Sequence, residues 1–212
     1  KIMCLGDMVI KCSSPRECVE KVFSKCEVVI KGNCEERVAS CPRIEEHFWN
    51  QRKLTKEQLE KVEALPLSHD FYMSGYKIRI MHASPYSIKE KSYYWDFDEE
   101  YENRIDNMFK NTEYLNNIGE EKPDIVVFGH IHKPFLYRKR EKVLIEGEMD
   151  SKKLSRISYK IVKFPYDYMK EVQNILDTDM PNKELAAEEI RTGKYFNRKQ
   201  IIVEAEMNKW KK

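Results

Sequence analysis

Short apolar runs, several of them ending in glycine, alternate along the chain with stretches whose apolar side chains recur at helical spacing. This alternation is typical of strands buried on both faces with helices packed outside them. Strands are predicted over 2–5 and 27–30, and the helix between them begins at Ser14 and Pro15. Serine caps helices and proline fits their first turn, so this helix has a clear start. The three elements predict a βαβ unit.

A second helix and a hairpin are predicted next. The helix begins at Thr55 and stops before Pro66, because the residue that precedes a proline disfavours helical backbone. The hairpin has strands over 70–73 and 76–81, joined by a Ser-Gly turn. A further apolar strand over 124–128 ends at a glycine. These elements continue the α/β pattern.

Aromatic and acidic side chains dominate residues 86–104, which lead into another predicted helix. The apolar face of that helix carries Ile105, Met108, Phe109 and Leu115. Antiparallel strands are predicted over 135–137, 143–145 and 157–164. Two helices are predicted after them, over 166–177 and 182–192.

The 212 residues carry 38 Lys and Arg against 36 Asp and Glu, a formal net charge of +2. This balance gives no electrostatic reason to expect nucleic acid or an anionic membrane as a partner. No apolar run reaches the ~18 residues that span a bilayer, and the first residues lack a signal-peptide pattern. We therefore expect a cytoplasmic protein with one domain over 1–193 and a basic tail over 194–212. The chain begins without methionine, inside the first predicted strand, so residues are expected upstream.

All six cysteines lie in the first 41 residues, which raises the question of a disulfide framework or a zinc module. No pair shows the Cys-x₂-Cys spacing of a structural zinc site or of a thiol redox protein. The same stretch contains continuous apolar strands, which small disulfide scaffolds lack. We therefore expect reduced thiols, largely buried.

Candidate metal ligands follow four of the predicted strands, and three of these positions come directly after a glycine. The candidates are Asp7, Asn33, His82, His130 and His132. Because strand ends in α/β sheets converge on one crevice, side chains far apart in sequence can meet there. A carboxylate, an amide oxygen and imidazoles suit borderline divalent ions such as Mn²⁺, Fe²⁺, Zn²⁺ or Ni²⁺.

Each candidate alone has an ordinary structural explanation. Asp7 suits a solvated turn, Asn33 a left-handed turn and His82 a hydrogen-bonded position in the core. The His130-x-His132 pair is more specific, since both rings lie on one side of an extended chain. Four such positions in one chain, each after an apolar strand, favour a metal site.

Four segments resemble, in order, the later motifs of the calcineurin-like metallophosphoesterases. They are Leu5-Gly6-Asp7, Gly32-Asn33-Cys34-Glu35, Met81-His82-Ala83 and Gly129-His130-Ile131-His132. The Gly-Asn-Cys form of the third motif is similar to that of small bacterial phosphodiesterases. The resemblance covers about residues 1–165 and implies a four-layer α/β/β/α sandwich with a two-metal site at the strand ends.

The resemblance also implies roles for individual residues. Asp7 would bridge two divalent ions, expected to be Mn²⁺, and His132 would belong to the second ion. The first ion's shell would be completed by Asn33, His82 and His130. Asp7, Asn33 and His130 are the implied catalytic residues. The second ion also needs an Asp-x-His motif on an earlier strand, which this sequence lacks, and this fits a chain without its first strand and helix.

The implied activity is hydrolysis of small-molecule phosphodiesters by hydroxide that two metal ions generate. Cys34 stands where many members have a histidine that assists the phosphoryl group or the leaving group, and a thiol does not replace an imidazolium. The alternative is a protein-binding scaffold that retains the fold with weak or no catalysis. Residues 86–104, which begin soon after His82, are candidates for covering the site. The oligomeric state is left open, with a homo-oligomer among the alternatives.

Overall fold

The computed structural model of the chain divides into two compact units, each described by itself below. The first comprises Lys1–Ile10 and Pro15–Phe164, and the second Lys11–Ser14 and Pro165–Lys212. The residues described are 1–40, 42–90, 101–116, 119–132, 135–139, 142–146, 160–194 and 196. The single domain expected over 1–193 stays a prediction.

The first unit opens with a short parallel strand pair. Strand β1 (Met3–Cys4) and strand β2 (Val28–Val29) are joined by helix α1 (Pro15–Lys25). Proline is the first helical residue, as its restricted backbone favours. The predicted βαβ unit is confirmed. Because β1 and β2 run in the same direction, the turns that follow them, at Gly6 and Gly32, lie at one edge of this sheet.

Two helices have no counterpart in the hydrophobic pattern. Helix α2 (Asn33–Ala39) has seven residues and begins where the sequence resembles a Gly-Asn turn. Helix α3 (Glu45–Lys53) buries a polar set, and its buried residues are Glu46, His47, Trp49 and Asn50. A helix that buries polar side chains shows no apolar stripe, so periodicity could not find it.

Helix α4 (Lys56–Glu63) confirms the predicted start at Thr55. The Thr55 hydroxyl accepts a hydrogen bond from the Gln58 backbone N–H at 3.1 Å. In return, the Thr55 backbone N–H donates to the Gln58 side chain at 3.0 Å. This reciprocal capping box satisfies two N–H groups that the helix itself leaves without partners.

The second sheet has five strands in the order β3-β4-β5-β7-β6 among the described residues. They are β3 (Ser68–Met73), β4 (Tyr76–Met81), β5 (Ile125–Phe128), β6 (Phe135–Lys139) and β7 (Lys142–Glu146). The pairs β3/β4 and β6/β7 are antiparallel, which confirms the predicted hairpin and the antiparallel strands predicted over 135–137 and 143–145. Strand β5 pairs in parallel with β4 and with β7. Since β4 and β5 are parallel neighbours, the residues that follow them, His82 and Gly129, lie at the same sheet edge.

Two predicted elements differ in the structure. The helix expected to reach Leu115 ends as α5 (Tyr101–Asn107), and Leu115 lies in a separate 3₁₀ turn. Of the strand predicted over 157–164, the described part, 160–164, has no regular secondary structure. Its apolar alternation suits a strand, but β-propensity depends on a packed neighbour, and Phe164 at 69% exposure has little packing.

Three apolar layers hold the first unit together. One packs helices against the first sheet and contains Val9, Val19, Val29, Val38, Leu54 and Val62. The next lies between the two sheets and contains Ile30, Ile78, Ile80, Ile125 and Val127. The last packs α5 and the following residues on the other face of the second sheet and contains Met81, Ile105, Met108, Phe109, Val126 and Phe128. Helix, sheet, sheet and helix therefore stack as the four-layer α/β/β/α sandwich that the motifs implied.

The second unit contains the two predicted helices, α6 (Tyr168–Leu176) and α7 (Lys183–Thr192), which are confirmed. Both pack around Ile175 and Ala186, which are fully buried. The short segment Lys11–Ser14 belongs to this unit. The Ser13 backbone N–H donates to the Glu171 carboxylate at 2.8 Å, and Lys11 pairs with Glu189 at 2.9 Å. Most of the expected tail over 194–212 lies outside the described residues.

Among the described residues, no helix combines the length and the apolar character that crossing a membrane requires.

Candidate metal centre

Asp7 lies in a tight turn after β1 that requires glycine. Gly6 has φ +93°, and a Cβ there would lie 2.5 Å from the backbone nitrogen of Gly32. Only glycine allows the two turns to approach this closely. Asp7 itself has φ 60°, in the left-handed region. Its Oδ1 accepts a hydrogen bond from the Cys34 backbone N–H at 2.9 Å, which fixes the carboxylate against the start of α2.

Glu35 holds the backbone of both turns, although its side chain is fully buried. Its carboxylate accepts hydrogen bonds from the N–H groups of Asp7 at 2.7 Å and Met8 at 2.8 Å. It also accepts from Val9 at 3.3 Å and from Gly32 at 2.8 Å. Burial and the nearby Asp7 charge raise the pKa of Glu35, and the N–H groups of Asp7, Gly32 and Met8 oppose that rise. No role is predictable for Glu35 from the sequence, since nothing in the motif shows which way its side chain turns.

His82, directly after β4, is 2% exposed and faces the Asp7 carboxylate. Its Nδ1 lies 2.7 Å from the Leu5 carbonyl oxygen. A carbonyl only accepts, so Nδ1 carries the proton and donates, which leaves the Nε2 lone pair toward the site. That Nε2 lies 3.4 Å from Asp7 Oδ1 and 3.1 Å from Asn33 Oδ1. When the ring is neutral, the Leu5 carbonyl thus orients it as a ligand.

His130 completes the group from the end of β5. The Gly129 N–H donates to the His82 carbonyl at 2.9 Å, and this contact places the next residue beside the His82 ring. His130 has φ 77°, and its Nδ1 lies 3.1 Å from His82 Nε2. One ligand atom each from Asp7, His82 and His130 lies within 4.8 Å of the other two. These three residues could hold a metal ion.

The chemistry of the donor atoms fits a divalent cation. The Asn33 side-chain oxygen faces only acceptors, the His82 and His130 ring nitrogens, while its nitrogen faces only donors. A divalent cation among these atoms would be held by oxygens of Asp7 and Asn33 and by one ring nitrogen each of His82 and His130. Without a cation, the amide rotated by 180° would donate to His130 at 2.7 Å and to His82 at 3.1 Å. The Asn33 amide can therefore fit both states of the centre. Its oxygen would face a bound cation, and its nitrogen would donate to the two rings when no cation is bound.

The charges of the site also favour a cation. Burial opposes ionisation of Asp7, but the hydrogen bond and charge of His82 and the N–H of Cys34 lower the pKa of Asp7 to about 2. Burial lowers the pKa of His82, but Asp7 outweighs it, so the pKa of His82 is raised. The carboxylate is thus ionised at neutral pH and attracts positive charge, which a proton on His82 or a metal ion can supply.

Cys34 is a neutral thiol beside this group. Burial, and then the negative charge of Asp7, raise the pKa of Cys34 well above its ordinary value. A protonated thiol is a poor nucleophile and a weak acid, so Cys34 supplies neither a thiolate ligand nor a strong proton donor at neutral pH. The five described cysteines, Cys4, Cys12, Cys18, Cys26 and Cys34, are thiols rather than disulfides.

The structure gathers four of the five predicted ligands around one position. His132 is exposed, has φ 60° and lies outside the group formed by Asp7, His82 and His130. Its place in a second metal shell stays a prediction.

Of residues 86–104, the part over 91–100 lies outside the described residues, and the flanking residues line a cavity of about 90 Å³ with Ser84 and Arg104 on its wall.

Comparison with known proteins agrees with the fold. The model of the calcineurin-like phosphoesterase superfamily domain matches residues 1–163, so the chain belongs to this superfamily, whose members typically bind divalent metals. The chain is 25% identical over 158 residues to the uncharacterized protein MJ0912 of Methanocaldococcus jannaschii. That match covers 70% of this chain but only 58% of the length of the relative.

Two solved structures share the fold. A metallophosphoesterase from Sphaerobacter thermophilus superposes with a TM-score of 0.63 and 16% identity, over 90% of this chain and 86% of its own. The hypothetical protein PH1004 from Pyrococcus horikoshii OT3 gives a TM-score of 0.61 and 11% identity, over 89% and 83%. At these identities the likeness establishes the α/β sandwich, and the chemistry rests on the residues of the site.

Proposed function

We propose that the protein is a metal-dependent phosphodiesterase that uses two divalent ions, with Mn²⁺ as the expected metal. The convergence of the Asp7, Asn33, His82 and His130 side chains on one position carries this proposal. Oxygen and imidazole ligands at the strand ends suit borderline divalent ions. The membership in a phosphoesterase superfamily supports the reaction class.

Divalent ions held here lower the pKa of water to near neutrality and offset the negative charge of a phosphoryl group. The chain's own residues position that chemistry. Asp7 stays ionised because of its low pKa, and Glu35 holds the backbone on which it sits. The Leu5 carbonyl keeps His82 in the tautomer whose Nε2 can ligate. These constraints exist before any ion binds, so the site is preorganised.

The second ion belongs to the proposal as well. Asp7 has a second carboxylate oxygen besides the one that faces His82, so it can contribute to two ions. His132, which is exposed and lies two residues after His130, would bind the second ion.

The substrates are proposed to be small phosphodiesters with good leaving groups. Cys34 remains protonated and offers no strong acid near the site. Expulsion of a basic alkoxide therefore lacks a general acid, which contributes roughly 10² to 10⁴ in rate where present. A cytoplasmic location is part of the proposal, because five half-buried thiols suit a reducing compartment.

Turnover of an aryl phosphodiester, bis(4-nitrophenyl) phosphate, tests the activity directly. We expect hydrolysis with Mn²⁺, none after chelation, and a loss of at least about 10²-fold in Asp7→Asn. Asp177→Asn, an exposed carboxylate in the second unit, is the matched control and should retain wild-type rates.

A second function, a protein-binding scaffold on the same fold, is favoured by two observations. Cys34 provides no strong acid, and His132 stays outside the described ligand group. Stoichiometric metal binding without turnover of aryl or alkyl phosphoesters would support the scaffold over the enzyme.

A further inference from the structure

Arg37 brings a guanidinium to the edge of the candidate metal centre. It lies in the last turn of α2, four residues after Asn33, and residues at this spacing share a helix face. Its Nη1 is 3.2 Å from the Asn33 amide atom that points away from the imidazoles. One side-chain amide therefore separates the guanidinium from the position where Asn33 meets His82 and His130.

The two carboxylates that precede Arg37 in the sequence bind other partners. Glu35 accepts four backbone hydrogen bonds from the two turns, the shortest from Asp7 at 2.7 Å. Glu36 pairs with Lys89. Arg37 forms no ion pair with any residue in the described part of the chain. Its positive charge also acts on the site, because it lowers the pKa of Cys34 against the larger effects that raise it.

The Asn33 amide links Arg37 to the state of the centre. With the amide oxygen turned outward, it accepts from Arg37 Nη1 at 3.2 Å, and the amide nitrogen donates to the two rings. A metal ion requires the opposite orientation, since only the oxygen ligates. The amide nitrogen then faces Arg37, so two donors meet at 3.2 Å and the guanidinium loses its acceptor. A cation beside a guanidinium is repulsive until an anion lies between them.

We propose that Arg37 binds a non-bridging oxygen of the phosphoester, and of inorganic phosphate, at the metal-loaded centre. The inference rests on the proposed function and assigns it a substrate-binding residue. The planar guanidinium suits phosphate oxygens, and a charge-assisted hydrogen bond of this kind is stronger than a neutral one. Metal binding rotates Asn33 and frees Arg37, so occupancy of the centre prepares the phosphate site.

Titrations of the full chain with Mn²⁺ alone and with Mn²⁺ in the presence of inorganic phosphate test this inference. In wild type we expect phosphate to strengthen Mn²⁺ binding, because linkage between two ligands is reciprocal. In Arg37→Gln that strengthening should fall about tenfold to a hundredfold. Mn²⁺ alone should bind Arg37→Gln as tightly as wild type or more tightly, since a repulsive charge is gone. A merely structural role for Arg37 would weaken Mn²⁺ binding instead.

Two further variants complete the experiment. Arg37→Lys, which keeps the charge but not the planar geometry, should retain part of the phosphate effect. Arg52→Gln, an exposed arginine in the last turn of α3, is the matched control and should behave as wild type.

Equal phosphate effects in wild type and Arg37→Gln would overturn the inference, and so would weaker binding of Mn²⁺ alone to Arg37→Gln. Wild type that binds Mn²⁺ but no phosphate would refute the Arg37 site and leave the metal centre standing. Wild type that binds no Mn²⁺ would refute the proposed function and, with it, the site built on that function.

Discussion

The Glu35 carboxylate accepts a hydrogen bond from the backbone N–H of Asp7 at 2.7 Å. Two acidic residues thus have different roles at one turn. The Glu35 side chain holds the backbone, while the Asp7 side chain faces His82. A buried carboxylate that satisfies four N–H groups costs less free energy than four unpaired donors would. The position of the predicted bridging ligand therefore depends on a residue that does not face the site.

Replacing Glu35 with glutamine should weaken Mn²⁺ binding by about 10- to 100-fold, the range typical of residues that orient metal ligands. One amide oxygen cannot serve all four N–H groups, and the amide nitrogen would face donors. The free energy of unfolding should fall by about 1–3 kcal/mol. Metal titration and chemical denaturation measure the two effects. Glu36→Gln is the neighbouring control, and unchanged Mn²⁺ affinity in Glu35→Gln would contradict the assigned role.

The stability of the metal-free and Mn²⁺-loaded forms should respond to pH in opposite directions. The pKa of His82 is raised above its ordinary 6.5, so its contribution to metal-free stability is complete below 6.5 and is lost as pH rises through the raised pKa. Mn²⁺ requires the neutral ring, so metal binding strengthens over that same interval. Melting temperatures from pH 6 upward, measured with chelator and with Mn²⁺ in wild type and His82→Gln, would show this. Melting temperatures of wild type that change with pH in the same direction with chelator and with Mn²⁺ would contradict this prediction.

Asp70→Asn should destabilise the fold and leave the metal centre intact. Arg79 is fully buried and donates to both Asp70 carboxylate oxygens at 2.8 Å. Removal of the charge leaves a buried guanidinium without its counterion, at a cost of about 3 kcal/mol. Chemical denaturation should show that loss, with Mn²⁺ affinity unchanged and Asp177→Asn as the control. A loss below about 1 kcal/mol, as for a surface ion pair, would contradict the structural assignment.

The Asp70–Arg79 ion pair should also make the stability of the fold depend on pH in acid. Burial opposes ionisation of Asp70, but hydrogen bonds and charges of Arg79 and Lys77 outweigh it, so the pKa of Asp70 is lowered from 3.8. Its contribution to stability is therefore present above 3.8 and is lost as pH falls through the lowered pKa. Unfolding midpoints measured below pH 4 should decline less steeply in Asp70→Asn than in wild type, and identical profiles would count against this interpretation.

The cysteines should all be thiols. Titration of freshly purified, denatured protein without reductant should find 6 reactive thiols, the number in the sequence. The same count after reduction is the control. A count near zero before reduction would contradict both the thiol state and the proposed reducing compartment.

Cys34→His should reduce the difference in kcat/KM between aryl and alkyl phosphodiesters. Wild type should cleave aryl esters well and alkyl esters poorly, because Cys34 is a neutral thiol. An imidazole that reaches the leaving oxygen would restore part of the roughly 10² to 10⁴ that a general acid contributes. The ratio of kcat/KM for the two ester types measures this, with Cys34→Ser as the control. An equal gap in Cys34→His and Cys34→Ser would show that position 34 does not serve the leaving group.

Local signals predicted much of the fold because they act within a few residues. The Pro15 start of α1, the Thr55 cap of α4 and the Ser-Gly hairpin turn each follow from backbone preferences, and all three are confirmed. Helices α2 and α3 were not predicted because most of their buried side chains, among them Glu35 and Asn50, are polar. Their burial depends on partners distant in sequence, which periodicity cannot show.

The candidate site, too, was predictable from the sequence only in part. Strand ends and glycines pointed to Asp7, Asn33, His82 and His130, since parallel strands bring such residues to one edge. Their side chains lie close together in the structure, and their roles as metal ligands stay a prediction. Glu35 and Arg37 were not predicted, because their roles depend on which way each side chain leaves a short helix.

Pulsed EPR of Mn²⁺ bound to the full chain tests the metal centre itself, since it detects nitrogen atoms that ligate the ion. The account predicts coupling to imidazole nitrogen in wild type, weaker coupling in His82→Gln and in His130→Gln, and the wild-type signal in His69→Gln, whose ring stacks on Phe71 instead. Mn²⁺ bound without nitrogen coupling, or coupling unchanged by the His82 and His130 replacements, would contradict the metal centre described here.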